Sequence, residues 1–353
     1  MVRSCWYVIG LGGDFAPETL HETMVAGRVL VVWRDRAGGL HALDGRCAHK
    51  RFPLAKGRLL EDGTLECAYH GFRYDPEGRC VAVPALAGRH EHLERLRCVA
   101  RFPVVEQTGV VWVWPGVGEP PSGPPSTPEL EEPGWQVAVR GPWRLRADAQ
   151  LLIENLLDLT HFYPLHAGNI GTFADASVPV EVSRSSDGSP PLLTCTRRRR
   201  AFHFGPTKAR WFGCDVGDND ATHAMVTPGM FRVEERGGPV GSLEAGLARG
   251  FVLYQFITPV RAGELAWWRL VCSPETLEVE GEQRPLAEVV AEDCEVVVAQ
   301  DAWALEEQQR MVDLGDEGFR EVQVRTDAPV VMARRLLADL EGSVDAEPAA
   351  VAQ

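Results

Sequence analysis

Two short pairs, Cys47-Ala48-His49 and Cys67-Ala68-Tyr69-His70, each offer one thiolate and one imidazole, and residues 50–66 separate them. Two hairpin tips held side by side would bring all four donors together, and that demand constrains the fold of this stretch more than any other feature. Two Cys and two His also suit tetrahedral Zn²⁺. A finger-type zinc site, however, groups Cys with Cys and His with His, whereas each tip here mixes them. A [2Fe–2S] centre with two Cys on one iron and two His on the other takes one of each from both tips and fits the pattern better. Neutral imidazoles in place of two thiolates lower the negative charge around such a cluster and raise its potential, so that it accepts electrons and passes them on.

The surroundings are consistent with a β domain. From Trp6 to Trp114 the chain breaks into short β-type runs, such as Arg28-Val29-Leu30-Val31-Val32-Trp33, punctuated by Gly-Gly, Asp-Gly and Pro-Glu-Gly turns. Residues 1–115 are read as this domain. The stretch from Pro115 to Pro128 is too rich in Pro and Gly to build a sheet or helix, so 116–134 is read as an extended connector. Residues 135–353 then form an α+β domain: a strand from Trp135 to Arg146, a helix from Ala147 to Thr160, strands over about 178–272 and a long helix from about Pro285 to Met311.

Net charge is −14, and the excess sits in residues 274–353. That balance disfavours nucleic acid as a partner. The run Arg197-Arg198-Arg199-Arg200 is the one exception, and it reads as a solvated strand or turn. Nine cysteines and no readable secretory signal argue against a disulfide framework and for the cytoplasm. Cys5, Cys80, Cys98, Cys195, Cys214, Cys272 and Cys294 have no ligand-like partner at short spacing and read as small core hydrophobes.

A second constellation lies at the end of the first long helix. Asn155, Asp158 and His161 recur every three residues and so share a helix face. Pro164 is expected to break that helix, letting His166 fold back toward His161. Two imidazoles supply most of a 2-His-1-carboxylate triad, whose open positions on Fe(II) accept O₂ and substrate. The carboxylate must come from elsewhere in the chain. The segment Glu292-Asp293-Cys294-Glu295-Val296-Val297-Val298-Ala299-Gln300 in the C-terminal helix offers one.

The runs Cys47-Ala48-His49-Lys50-Arg51-Phe52-Pro53-Leu54 and Cys67-Ala68-Tyr69-His70-Gly71-Phe72-Arg73-Tyr74-Asp75 closely resemble the N-terminal domain of Rieske non-haem iron oxygenases. Taken with Asn155 to His166, the chain resembles their α-subunits, and its short length resembles the vanillate demethylase and dicamba monooxygenase branch. The resemblance implies an N-terminal Rieske domain followed by a helix-grip catalytic domain, with Cys47, His49, Cys67 and His70 holding the cluster. It also implies a mononuclear Fe(II) on His161, His166 and an aspartate of the long helix, assigned to Asp293 with Asp301 as the competitor. Gly71 is expected to permit close backbone approach to the cluster, and Lys50 and Arg51 to flank the histidine tip.

By the same resemblance the subunits form a head-to-tail homotrimer. Asp158 bridges His70 of a neighbouring copy to His161, and Asn155 lies near the iron. No Gly-x-Gly-x-x-Gly fingerprint is present, so electrons must come from a separate NAD(P)H-dependent reductase, directly or through a ferredoxin. The expected activity is hydroxylation or oxidative demethylation of a small aromatic or heterocyclic compound. The competing readings are an electron-transfer protein without a working mononuclear site, and a zinc protein with no redox role. Phe202, His203, Trp211, His223, Phe251 and Gln255 are candidates for the pocket lining, although ordinary core or surface packing is preferred for each. No cluster of basic residues announces a carboxylated substrate.

Overall fold

The computed structural model describes residues 1–87, 99–315 and 318–342, so Cys98 lies outside the described residues. The chain divides into two compact units, one comprising Arg3–Pro124 with Thr258–Arg261, the other Pro125–Ile257 with Ala262–Gln353. The division falls inside the Pro-rich stretch.

The first unit is built from β1 (Tyr7–Leu11), β2 (His21–Val25), β3 (Arg28–Arg34), β4 (Leu40–Asp44), β5 (Arg58–Leu59), β6 (Leu65–Glu66), β7 (Arg73–Tyr74), β8 (Cys80–Ala82), β9 (Val104–Gln107) and β10 (Val110–Val113). They form three antiparallel sheets, ordered β1-β10-β9, β2-β3-β4 and β5-β6-β7-β8. The β2–β3 hairpin turns through Ala26 and Gly27, both at positive φ (48° and 75°), the conformation that matches strand twist in a two-residue hairpin. Val31, Trp33, Leu43, Leu54, Leu65 and Tyr74 pack around the buried Cys47 and Cys67 in one core.

The second unit is an α+β layer. Its strands are β11 (Gln136–Leu145), β12 (Val180–Arg184), β13 (Leu193–His203), β14 (Val216–Thr227), β15 (Met230–Pro239), β16 (Arg249–Arg261) and β17 (Glu264–Ser273), with a small hairpin of β18 (Thr276–Val279) and β19 (Glu282–Pro285). The seven form one sheet in the order β11-β17-β16-β15-β14-β13-β12. Helices α1 (Ala149–Leu157), α2 (Phe162–His166), α3 (Pro206–Phe212), α4 (Leu286–Asp313) and α5 (Ala328–Gly342) complete it. Helix α4 lays Leu286, Val289, Val290, Cys294 and Val297 against Phe251, Leu253, Val233 and Val271 of the sheet, the apolar stripe of a helix meeting the alternate residues of strands.

The arginine run departs from its expected solvated state. In β13 the pleat sends alternate side chains to opposite faces. Arg198 and Arg200 pair with Glu181 and Asp220 at the surface, whereas Arg197 and Arg199 are 1% and 2% exposed. Arg199 holds Asp175 at 2.7 Å and Asn219 at 2.6 Å, and Arg197 donates to the Leu159 carbonyl at 2.8 Å. No helix among the described residues is long and apolar enough to cross a membrane.

Candidate metal centres

The two Cys/His loops share one backbone design. The Cys47 amide donates to the Phe52 carbonyl at 2.9 Å and the Cys67 amide to the Phe72 carbonyl at 2.8 Å. In return, Arg51 N–H donates to the Cys47 carbonyl at 2.9 Å, and Gly71 N–H to that of Cys67 at 3.0 Å. Both donors lie four residues after their cysteine and have positive φ, 56° for Arg51 and 69° for Gly71. Glycine is required at the second because a Cβ there would lie 2.8 Å from Pro84 Cγ. The close approach that demands glycine is therefore to Pro84.

The loops bury their sulfurs and expose their imidazoles. Cys47 and Cys67 are 2% and 1% exposed, while His49 and His70 are exposed with ring centroids 4.5 Å apart. This donor set fits a cluster with thiolates on one iron and imidazoles on the other. The Tyr74 hydroxyl lies 3.2 Å from Cys47 Sγ and also accepts the Ala48 N–H at 3.2 Å. Burial, followed by the neighbouring Cys47, pushes the phenol above its usual range, so it remains a donor to the sulfur. Hydrogen bonds to cluster sulfurs are a lever on potential, and nothing in the run Cys67–Asp75 marks Tyr74 for that role in advance.

The second centre sits where the helical segments meet. Helix α1 stops at Leu157, earlier than expected, and Asp158 turns the chain with ψ near 97°. Its carboxylate accepts from Thr160 N at 2.8 Å and Thr160 Oγ1 at 2.5 Å, capping the 3₁₀ turn Leu159–His161. Pro164 does not break a helix. It lies in the first turn of α2, where its missing N–H costs nothing. His161 precedes α2 and His166 ends it, so the two imidazoles stand at opposite ends of one short helix.

Asp301 of α4 completes the group. Its Oδ1 lies 3.2 Å from His166 Nε2 and 3.6 Å from His161 Nε2, and one donor atom from each of the three falls within 4.8 Å of the others. Gln300 Oε1 accepts from His166 Nδ1 at 2.8 Å, which leaves Nε2 as the lone-pair nitrogen, and that buried atom has no hydrogen-bond partner. Burial holds the His161 imidazole below its usual range, toward the neutral form that ligates metal, against the pull of Asp301 and Asp158. Asn155 Nδ2 donates to Asp301 Oδ1 at 3.2 Å. Two imidazoles, a carboxylate and an orphaned buried nitrogen fit a divalent iron of the 2-His-1-carboxylate type.

Asp293, the expected carboxylate, is not in this cluster. It precedes Asp301 by about 12 Å of helix rise. One of its oxygens accepts from Trp211 Nε1 at 2.7 Å and the other pairs with Arg210, both on α3. The buried stripe of α4 runs through Cys294, Val297, Val298, Asp301 and Leu305, and Asp293 lies off it. The three- and four-residue spacing of that stripe was the available signal for Asp301.

A cavity of about 600 Å³ of empty space, its open mouth included, adjoins the cluster. Phe162, Trp211, Phe251, Leu253 and Val233 give it apolar and aromatic walls suited to a small planar ligand. Of the six lining candidates, Trp211, His223, Phe251 and Gln255 face it, and Phe202 and His203 do not. His223 is held down to about 3 by burial and by the charges of Lys208, Arg197 and Arg199. Lys208 in turn pairs with Glu235.

Both parts of the chain resemble known proteins. Residues 5–103 match the model of the Rieske [2Fe-2S] domain, and residues 145–342 that of the vanillate O-demethylase oxygenase C-terminal domain. The iron-sulfur subunit TsaM1 of the toluene-4-sulfonate monooxygenase system of Comamonas testosteroni is 31% identical over 253 residues, 68% of each chain. A vanillate O-demethylase oxygenase subunit from a Pseudomonas species is 29% identical over 344 residues, 94% of this chain and 98% of that one. In fold, the crystal structure of dicamba monooxygenase bound to dicamba superposes with a TM-score of 0.80 at 22% identity, covering 98% of this chain and 99% of that one.

Proposed function

This chain belongs to the family of oxygenase subunits that join a Rieske [2Fe-2S] domain to a vanillate O-demethylase-type C-terminal domain, and from that premise we propose how its own residues divide the work. It is a Rieske non-haem iron monooxygenase, with a [2Fe–2S] cluster and a mononuclear iron as cofactors. Cys47, His49, Cys67 and His70 hold the cluster, and His161, His166 and Asp301 hold the mononuclear iron. The observation that carries this reading is the convergence of the three donor atoms on the wall of an aromatic-lined cavity, in a chain that also presents two mixed Cys/His loops.

The metal groups supply oxygen activation and the delivery of electrons. The remaining tasks fall to the protein. Gln300 fixes the tautomer and ring orientation of His166, and Asn155 orients the Asp301 carboxylate. Phe162, Trp211 and Phe251 hold a flat ring beside His161, His166 and Asp301 and keep water from them. An oxygen placed on a ring carbon gives a hydroxylated product. Placed on an O-methyl or N-methyl carbon, it gives a hemiacetal or hemiaminal that releases formaldehyde, with the second oxygen atom leaving as water.

A separate NAD(P)H-dependent reductase, acting directly or through a ferredoxin, supplies the electrons, and a homotrimer is the assembly that uses Asp158. In that assembly Asp158 links His70 of a neighbouring copy to His161. The fixed position of its carboxylate, which accepts from Thr160 N and Oγ1, and its electrostatic influence on His161 support this role. The test is turnover with a surrogate reductase and labelled O₂ over methoxy-, N-methyl- and unsubstituted aromatics. Formaldehyde with methyl loss, or a product carrying one labelled oxygen, supports the reading. Reduced cluster that consumes no O₂ with any of them defeats it in favour of an electron carrier.

A further inference from the structure

Four cationic side chains in the described residues are buried: Arg197, Arg199, Lys208 and Arg269. A buried cation needs a countercharge, because the loss of its hydration is costly and only pairing offsets it. Three of the four have one. Arg199 and Arg197 face Asp175 at 2.7 and 3.8 Å, and Lys208 pairs with Glu235.

Arg269 has none. It lies on β17, opposite Arg140 of β11 in the antiparallel register, so both side chains leave the sheet on the face covered by α4. Arg140 has taken the two glutamates that α4 offers there, Glu288 at 2.9 Å and Glu295 at 3.1 Å. What remains for Arg269 is the face of Trp267, 5.9 Å from Cζ, and the thiol of Cys294. Only 7% of its surface is exposed, its Nε is buried without a hydrogen-bond partner, and no carboxylate of the described residues lies within ion-pair distance.

Arg269 lines the same cavity as His161, His166 and Asp301. The two carboxylates on that cavity are already engaged, Asp301 in the ligand cluster and Glu235 with Lys208. The ligands come from the helical wall and Arg269 comes from the sheet, so a molecule in the cavity meets metal on one side and an unspent guanidinium on another. We propose that Arg269 is the anchor for an oxyanion, a carboxylate or sulfonate, borne on the aromatic ring of the substrate. The planar fork of its N–H donors suits either group, and the aromatic walls suit the ring between anion and reacting carbon. This assignment rests on reading the cavity as the substrate site of the oxygenase, and it narrows that site to anionic aromatics.

The experiment is anaerobic calorimetry on the iron-loaded full-length protein with matched pairs that differ only in charge. The pairs are 4-methoxybenzoate against 4-methoxybenzamide, and 4-methoxybenzenesulfonate against its sulfonamide. In the wild type, the anion of at least one pair binds at least about 30-fold more tightly than its neutral partner. Arg269→Met abolishes the preference, and Arg269→Lys keeps its sign at reduced strength. Which pair shows the larger preference tells carboxylate from sulfonate. A second readout needs no ligand: the ligand-free Arg269→Met protein melts no lower than the wild type, since it loses an uncompensated charge. Equal affinity for anion and neutral partner in both pairs overturns the proposal, as does a preference that survives Arg269→Met, or a clear fall in melting temperature showing the guanidinium to be structural. A protein that binds the anions by this charge rule yet holds no iron would instead fault the oxygenase reading.

Discussion

Exchanging the two aspartates of α4 separates metal ligation from helix packing. Asp301→Ala removes the carboxylate that faces both imidazoles, while Asp293→Ala removes one that faces only α3. With free Fe(II) at one hundred times the dissociation constant, binding stabilises the wild type by about 2.7 kcal/mol. At about 2–4 °C per kcal/mol for a domain of this size, that is a rise of roughly 5–11 °C in melting temperature. Loss of a direct ligand weakens binding by more than the ~100-fold upper range for loss of an outer partner, so at the same iron concentration Asp301→Ala gains about 0.4 kcal/mol or less. Asp293→Ala keeps the full iron-dependent rise from a lower baseline, because the buried Trp211 indole N–H is left unpaired at a cost of about 1–3 kcal/mol. The assay is anaerobic thermal unfolding with and without Fe(II), alongside iron analysis of the desalted proteins. An iron-dependent shift that survives in Asp301→Ala and vanishes in Asp293→Ala would refute the assignment.

Other expectations follow from single contacts. Asp158→Asn leaves both metal sites filled and the cluster reducible, yet coupled turnover with the reductase nearly vanishes; rapid turnover in this variant would remove Asp158 from the electron path. Cys67→Ala abolishes the visible absorption of the cluster and His166→Ala spares it, which optical spectra of the purified variants decide. His223 sits near 3 in the folded protein against about 6.5 unfolded, so the unfolded chain takes up a proton that the folded one refuses. Stability therefore falls as pH drops below about 6.5, and His223 contributes about 2 kcal/mol of that loss between pH 7 and 5. Urea unfolding at both values shows the loss in the wild type and a correspondingly smaller one in His223→Gln; identical pH dependence in the two proteins would contradict the burial argument.

The parts legible in the sequence were those whose information is local. Cys47, His49, Cys67 and His70 declare themselves by donor type and spacing. The pair His161 and His166 does so too, although the break that frees them is at Asp158 and not at Pro164, a proline that helix geometry tolerates in a first turn. The choice between Asp293 and Asp301 depended on the rotational phase of α4 over the sheet, which the sequence carries only as the spacing of Cys294, Val298 and Leu305. The alternation in Arg197 to Arg200 was readable as period two. Which pair goes inward, however, is decided by Asp175 and Asn219, distant in sequence. Arg269 was invisible for a deeper reason: its meaning lies in a partner it lacks, and a missing contact leaves no trace in composition or spacing.

The opposite exposures of sulfur and imidazole in the two Cys/His loops give the group of four a covered side and an open one. Trp33 and Leu65 pack around the two cysteines and the Tyr74 hydroxyl reaches Cys47 Sγ, so protein covers that side. His49 and His70 form the open side, and the exposed Tyr69, Lys50 and Arg51 stand beside them in the chain. Under the proposed cluster assignment, electrons enter and leave by the side that His49 and His70 open to solvent.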